Sequence, residues 1–319
     1  MSLAKISGQL FIDIDGTDLT ASDIDILKHP KISGVVLFKK NFIDSAQLKN
    51  LCKKIHSIKR ELVISVDHEG GAVQRFQKGF TILPPINDLS ELAKTNIDQA
   101  IIAAKKQGAT MANDLVAHGV DACLGPVLDC SSPSTNNDFY KRCFHDDPKL
   151  VIKLAASYLS GMANENMLAI GKHFPGHGFI DEDTHHMISR DHRSIEELMR
   201  HDILPYIALQ ASMQGIMLSH IIFPEMDELP CSLSAKWVKF IRSNLNLTQI
   251  LITDCLSMKA VADLIPSPAE RVAQVFAAGV DIAIFCNDRL GVEKALNEIP
   301  AVSCNRINQA LHKWKIAVN

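Results

Sequence analysis

The residues of this chain best suited to chemistry are concentrated in segment 171–193, GKHFPGHGFIDEDTHHMISRDHR, which holds five histidines among several carboxylates. Glycines and a proline near its start oppose a continuous helix or strand and therefore predict a loop. Asp183 lies two residues before His185 in this loop. A carboxylate that orients an imidazole produces a general acid/base suited to neutral pH. No metal site is predicted on these histidines, because their spacing matches no strong zinc-binding pattern.

Carboxylates and cationic donors also lie outside this loop. Asp254 ends the apolar run in ILITDCLSM, where it could be a nucleophile, a general base, a metal ligand or a helix cap. Asp67 and Arg75 lie in VDHEGGAVQRF, and such a pair suits hydrogen bonding to sugar hydroxyls or an anion, or forms a buried ion pair. Further cationic donors are Arg142, Lys172 and His173.

Eight short apolar runs could position these side chains. They are rich in Val, Ile and Leu without polar alternation, as expected of parallel strands covered on both faces; they span 10–14, 34–38, 62–66, 119–124, 168–173, 215–219, 249–253 and 280–286. Segments with helical periodicity separate them, at 44–58, 97–117, 147–164, 194–213, 234–245 and 267–278. The alternation predicts an α/β fold, a single-domain (β/α)8 barrel over residues 1–319, with a doubly wound sheet as the alternative.

Several predicted strands end in or just before a polar residue: Lys39, Asp67, Asp129, His173, His220, Asp254 and Asn287. In a (β/α)8 barrel all these ends meet at one face, where enzymes of this fold build their sites. The pattern indicates an enzyme. For Asp129, His220 and Asn287 a simple loop-capping role is favoured.

Composition excludes several classes of protein. The 319 residues are 47% hydrophobic and 22% charged, with a net charge of −3, so no basic excess predicts nucleic-acid binding. No run approaches the ~20 apolar residues of a membrane span, and the N-terminal segment lacks a secretory apolar core. The eight scattered cysteines are interpreted as reduced thiols of a cytoplasmic protein.

The N-terminal segment LFIDIDGTDL offers a competing interpretation. An apolar strand followed by D-x-D-G-T is typical of Mg²⁺-dependent phosphatases, with Asp13 as nucleophile and Asp15 as acid/base. The other elements of such a phosphatase have no convincing place in the chain. Carboxylates that cap a turn are the simpler explanation.

Nearly the whole chain resembles glycoside hydrolase family 3 of the β-N-acetylglucosaminidase type. The resemblance rests on DIDGTDLT, GVVLF, VDHEGGAVQRF, RCFHDDP, KHFPGHG with D-T-H, SHIIFPEMD, ITDCLSM and GVDIAIFCN, in family order. It implies a (β/α)8 barrel without cofactor or metal, and a nucleophile at Asp254. It also implies an acid/base at His185 held by Asp183, and sugar-binding residues at Asp67, Arg75, Arg142, Lys172 and His173.

The resemblance further implies a retaining, exo-acting, monomeric enzyme with no nucleic-acid or membrane partner, which removes N-acetylglucosamine from muropeptide-derived sugars in peptidoglycan recycling. The chain departs from the family pattern at Lys39-Lys40, Ala72, Ser189 and Cys255, none of which is an assigned catalytic residue. A β-glucosidase with the same nucleophile and a non-catalytic sugar-binding barrel are the remaining alternatives.

Overall fold

The computed structural model describes residues 9–131, 138–180 and 187–299. Its strands are β1 (Leu10–Ile12), β2 (Ile32–Leu37), β3 (Val63–Val66), β4 (His68–Gly70), β5 (Val73–Gln74), β6 (Ala122–Cys123), β7 (Leu168–Phe174), β8 (Gly215–Leu218), β9 (Ile250–Cys255) and β10 (Ile282–Phe285). Eight of them close into a parallel barrel in the order β1-β10-β9-β8-β7-β6-β3-β2, while β4 and β5 form a separate antiparallel hairpin. The predicted (β/α)8 barrel is confirmed. A doubly wound sheet is excluded, because β1 pairs with both β2 and β10 and so leaves the sheet no edge.

Helices surround the barrel: α1 (Ala21–Leu27), α2 (Ser45–Ile58), α3 (Asp88–Thr95), α4 (Ile97–Val116), α5 (Pro148–Asn164), α6 (Ile195–Arg200), α7 (Leu204–Leu209), α8 (Ala235–Lys239), α9 (Lys259–Ala262), α10 (Pro268–Ala278) and α11 (Arg289–Glu298). A capping box of Ser194 and Glu197 begins α6, and Pro148 and Pro268 are the first residues of α5 and α10. None of the helices described is long and apolar enough to cross a membrane.

The single helix predicted over 194–213 is wrong. The chain forms α6 and α7 with a break between them, and Pro205 lies in the first turn of α7. Proline has no N–H to bond the carbonyl four residues earlier, so one continuous helix cannot pass this point. The segment predicted over 234–245 likewise divides into α8 and a π-helical turn, Phe240–Asn244. The sequence also predicts a C-terminal helix over 305–317, and this segment lies outside the described residues.

The barrel interior is a small apolar core distinct from the larger core between strands and helices. Phe11 fills the interior beside Gly34. A Cβ on Gly34 would lie 2.5 Å from Phe11 Cε1, so only glycine admits the ring there. This packed floor closes the barrel below the strand ends and leaves the polar residues above it.

Candidate active site

A cavity of about 730 Å³ opens where the barrel strands end. Six residues singled out from the sequence line it: Asp67, Arg75, Arg142, Lys172, His173 and Asp254. They come from segments scattered along the chain, and only the closure of the barrel makes them neighbours. Asp183 and His185 lie outside the described residues.

The β4–β5 hairpin carries two charged side chains to the cavity wall. It follows β3 directly, and its turn uses Gly70 and Gly71 with φ angles of 97° and 54°. A Cβ on Gly70 would lie 2.6 Å from the Pro84 carbonyl oxygen, so glycine is required on both conformational and steric grounds. The hairpin thereby buries Glu69 and places Arg75 opposite Asp67.

Lys172 is the centre of a buried ion-pair network. Its Nζ lies 2.7 Å from Asp67 Oδ1 and 2.7 Å from Glu69 Oε1, and its side chain is 2% exposed. Arg75 Nη2 donates to the other oxygen of Asp67 at 3.2 Å. Burial would raise the pKa of Asp67, but Lys172 and Arg75 outweigh it and lower that pKa below its usual value. The two interpretations of the Asp67–Arg75 pair are therefore compatible, since the carboxylate is ion-paired and also lines the cavity.

Glu69 was not singled out from the sequence. Its Oε2 accepts from Arg142 Nε and its Oε1 from Arg142 Nη2, both at 2.8 Å, in a bidentate pair. Burial alone would raise its pKa, yet Arg142 and Lys172 hold the pKa of Glu69 well below the usual range. The sequence signal was its place two residues after Asp67, before a glycine pair that turns the chain.

Asp254 ends β9 at the floor of the cavity. The N–H of Cys255 donates to its Oδ1 at 2.7 Å. Burial acts to raise the pKa of Asp254, but positive charge at His173 and His220 lowers it to about 2. The carboxylate is thus ionised at neutral pH, as a nucleophile or a general base requires.

His173 is held from below by Asp129, which is fully buried. The imidazole Nδ1 lies 2.8 Å from Asp129 Oδ2, and the backbone N–H groups of His173 and His177 donate to Oδ1 at 3.1 and 2.9 Å. The loop-capping role predicted for Asp129 is only part of its contacts, because the same carboxylate orients a cavity side chain. With Nδ1 directed at Asp129, the Nε2 edge of the ring is turned away from that carboxylate.

The other predicted capping residues also support the site. His220 is buried, with its Nδ1 2.7 Å from Ser232 Oγ and its Nε2 3.0 Å from the carbonyl oxygen of Cys255. These contacts stabilise the end of β9. Asn287 lines the cavity, so its simple capping interpretation is incomplete. Cys255, a departure from the family pattern, lines the cavity as well.

His177 and Phe139 form one wall of the cavity. Their rings are stacked with centroids 4.8 Å apart, and the Arg142 guanidinium carbon lies 4.9 Å from the Phe139 ring centre. Burial, assisted by the charge of His173, lowers the pKa of His177 to about 4. The imidazole of His177 is therefore neutral at physiological pH.

Asp13 and Asp15 do not converge as a phosphatase requires. Lys40 Nζ donates to Asp13 Oδ2 at 2.5 Å, and the N–H of Asn287 donates to Asp13 Oδ1 at 3.0 Å. The side chain of Asp15 is 58% exposed and faces Arg289 at 3.5 Å. Both oxygens of the supposed nucleophile are thus engaged, by partners distant in sequence and not by the local turn of the capping interpretation; α1 is capped by Thr20 instead.

The described residues contain one grouping with the composition of a metal site, Cys130, His201 and Asp202. Arg193 Nη1 already donates to Asp202 Oδ2 at 2.5 Å. The guanidinium supplies the positive charge that a metal ion would bring, so the grouping is interpreted as structural.

Comparison with known proteins places this site in a family. Residues 5–314 match the model of the glycosyl hydrolase family 3 N-terminal domain. The chain belongs to this family, which confirms the glycoside hydrolase class expected from the sequence.

Particular relatives agree with this assignment. A β-hexosaminidase of Nitrosospira multiformis is 37% identical over 92% of this chain and 84% of its own length. A second, from Thiobacillus denitrificans, is 39% identical over 88% of this chain and 78% of its own. The crystal structure of NagZ from Neisseria gonorrhoeae in complex with N-trifluoroacetyl-D-glucosamine superposes with a TM-score of 0.90 at 33% identity, over 96% of this chain and 89% of that one.

Proposed function

We propose that this protein is a retaining exo-β-N-acetylglucosaminidase whose nucleophile is Asp254. The observation that carries the proposal is an ionised carboxylate at the floor of a cavity with hydrogen-bond donors around it, in a family 3 barrel. A sugar ring needs such donors for its hydroxyls, and its anomeric carbon needs the carboxylate. The whole chain acts as one catalytic domain and, as expected from the sequence, as a monomer.

The proposed reaction has two steps. In the first, an Asp254 oxygen forms a bond to the anomeric carbon while the glycosidic C–O bond breaks, and protonated His185 gives its proton to the leaving oxygen. In the second, neutral His185 takes a proton from water, the water oxygen bonds to the anomeric carbon, and Asp254 leaves as a carboxylate. Asp183 orients the imidazole and favours its protonated form before the first step.

The remaining sugar contacts are assigned to the charged residues that line the cavity. Asp67, Arg75, Arg142, Lys172 and His173 bind the hydroxyls and the N-acetyl region in this proposal. The ion pairs fix these side chains before the substrate arrives, so little conformational entropy is lost on binding.

The substrate class follows from the relatives. Two of them are named β-hexosaminidases, and the NagZ structure holds an N-acylated glucosamine. We therefore assign terminal N-acetylglucosamine as the group removed, from small muropeptide-derived sugars of peptidoglycan recycling in the cytoplasm.

The test is turnover of 4-nitrophenyl N-acetyl-β-glucosaminide by the wild type and by Asp254→Ala. The variant should lose on the order of 10⁴-fold or more in kcat, because the covalent step has no other nucleophile. Azide, as a small external nucleophile, should partly restore release of nitrophenol from Asp254→Ala. Asp263→Ala is the control, because that carboxylate is 50% exposed, pairs with Lys259 and does not line the cavity.

Full activity of Asp254→Ala would refute the assignment of the nucleophile. A preference of the wild type for the 4-nitrophenyl glucoside would favour a β-glucosidase. Sugar binding without any turnover would favour a non-catalytic barrel.

A further inference from the structure

Glu69 is a buried acidic group directly behind the cavity lining, yet none of the proposed chemical steps uses it. Its side chain is 5% exposed, and it does not line the cavity itself. Among the described residues, its side chain contacts Lys172 and Arg142, and both of these line the cavity. It accepts one hydrogen bond from Lys172 and two from Arg142.

Glu69 thereby joins two cations that would otherwise repel each other. The positive charge of Arg142 acts to lower the pKa of Lys172, whereas Glu69 and Asp67 act to raise it. Lys172 is shared between two carboxylates, whereas among the described residues Arg142 forms its ion pair with Glu69. Removal of this carboxylate would free the guanidinium to turn away from Lys172.

The bidentate geometry adds a constraint that charge alone would not give. Two parallel N–H···O bonds fix the plane of a guanidinium as well as its position. One face of the Arg142 guanidinium packs against Phe139, whose ring centre lies 4.9 Å from the guanidinium carbon. Arg142 is thus held on one edge by Glu69 and against one face by an aromatic ring.

We propose that Glu69 is a positioning residue for glycoside hydrolysis, which sets the orientation of Arg142 and Lys172 toward the sugar without touching it. This inference rests on the proposed function of the same cavity. In the sequence, the glycine pair after Glu69 is the signal that marks this residue. Its partners Lys172 and Arg142 become apparent only in the tertiary structure. Displacement of a hydrogen-bond donor by about 1 Å at such a site reduces the rate on the order of 10²-fold.

The decisive experiment is a double-mutant cycle on kcat/KM with 4-nitrophenyl N-acetyl-β-glucosaminide. It compares wild type, Glu69→Gln, Arg142→Ala and the double variant. Each single change should lower kcat/KM by roughly 10- to 100-fold. The double variant should be less impaired than the product of the two single losses, because the part of the Glu69 effect that acts through Arg142 is already lost in Arg142→Ala.

A purely structural role of Glu69 predicts a different result. The two losses would then multiply, and the loss in Glu69→Gln would follow its loss of folded protein measured by circular dichroism. Multiplicative losses overturn the inference. Glu91→Gln is the matched control, because this glutamate is 59% exposed on α3 and pairs with Lys94 on the same helix. It should leave kcat/KM unchanged.

Glu69→Asp covers the case in which Glu69→Gln fails to fold. It keeps the charge but shortens the side chain, so it can balance the two cations and cannot bridge both. A folded Glu69→Asp variant should lose roughly 10-fold in kcat/KM. Unchanged kcat/KM in the folded variant overturns the inference. If the wild type itself turns over no glycoside, the proposed function fails, and the inference falls with it. If the wild type is active and the losses multiply, the inference alone fails.

Discussion

Asp129→Asn is the substitution that most directly tests how the cavity is built. The change keeps the shape of the side chain and removes its charge. Asp129 is fully buried and receives N–H donors at 2.8, 2.9 and 3.1 Å. Asparagine offers one accepting oxygen and an NH₂ group, so at least one donor would face another donor.

The cost can be worked out from these contacts. One hydrogen bond to a charged group contributes about 1.5–3 kcal/mol, and breaking a buried ion pair on one side costs about 3–5 kcal/mol. Because the lost bond to the His173 ring and the lost charge are parts of the same pair, the sum should be about 3–5 kcal/mol. Most of this is the desolvation of groups left without a partner.

The assay is equilibrium unfolding in urea, combined with kcat/KM on the N-acetylglucosaminide. With an m value of about 3 kcal/mol per M, the upper end of the usual range as suits a chain of this size, the midpoint should fall by roughly 1–2 M. Activity per folded molecule should also fall on the order of 10-fold or more, since His173 loses the group that orients it. Asp263→Asn is the control, and a surface pair of this kind contributes at most ~1 kcal/mol. An unfolding free energy of Asp129→Asn within ~1 kcal/mol of wild type would refute the reasoning.

Three further predictions concern Asp254, His68 and Gly34. Because the pKa of Asp254 is about 2, its ionisation should not limit activity above pH ~4. The variant His185→Ala, assayed with an activated aryl leaving group, should therefore show a constant kcat/KM from pH ~7 to ~4. A steep fall of kcat/KM toward acid pH in that variant would contradict this. Burial lowers the pKa of His68 from 6.5 to about 4, so its contribution to stability is present above pH ~6.5 and is lost as pH falls to ~4. The wild type should lose up to about 3 kcal/mol of unfolding free energy over this pH range, and His68→Gln should lose less. The same pH dependence of unfolding in both proteins would contradict this role of His68. Gly34→Ala should cost about 1–3 kcal/mol in thermal unfolding, because the added methyl overlaps the Phe11 ring, and an unchanged melting temperature would show that the ring can move.

The sequence by itself determined the barrel and most of the cavity wall. Apolar runs of strand length between helical segments predict a parallel sheet, and their number favours a closed barrel over a doubly wound sheet; the pairing of β1 with β10 shows the closure. Polar residues at the ends of such runs, including Asp67, Lys172 and Asp254, then share one face because parallel strands all end there.

Only the tertiary structure decided how those residues are held. Glu69 and Arg142 are 73 positions apart, and Asp129 and His173 are 44 apart, so no local periodicity links them. The break between α6 and α7 depends on Pro205, a single residue within an otherwise helical pattern. Hydrophobic periodicity reports which face of an element is buried, whereas the partner of a buried charge is fixed by packing between distant segments. For that reason the sequence indicated which groups could do chemistry, and the fold decided which carboxylates support them.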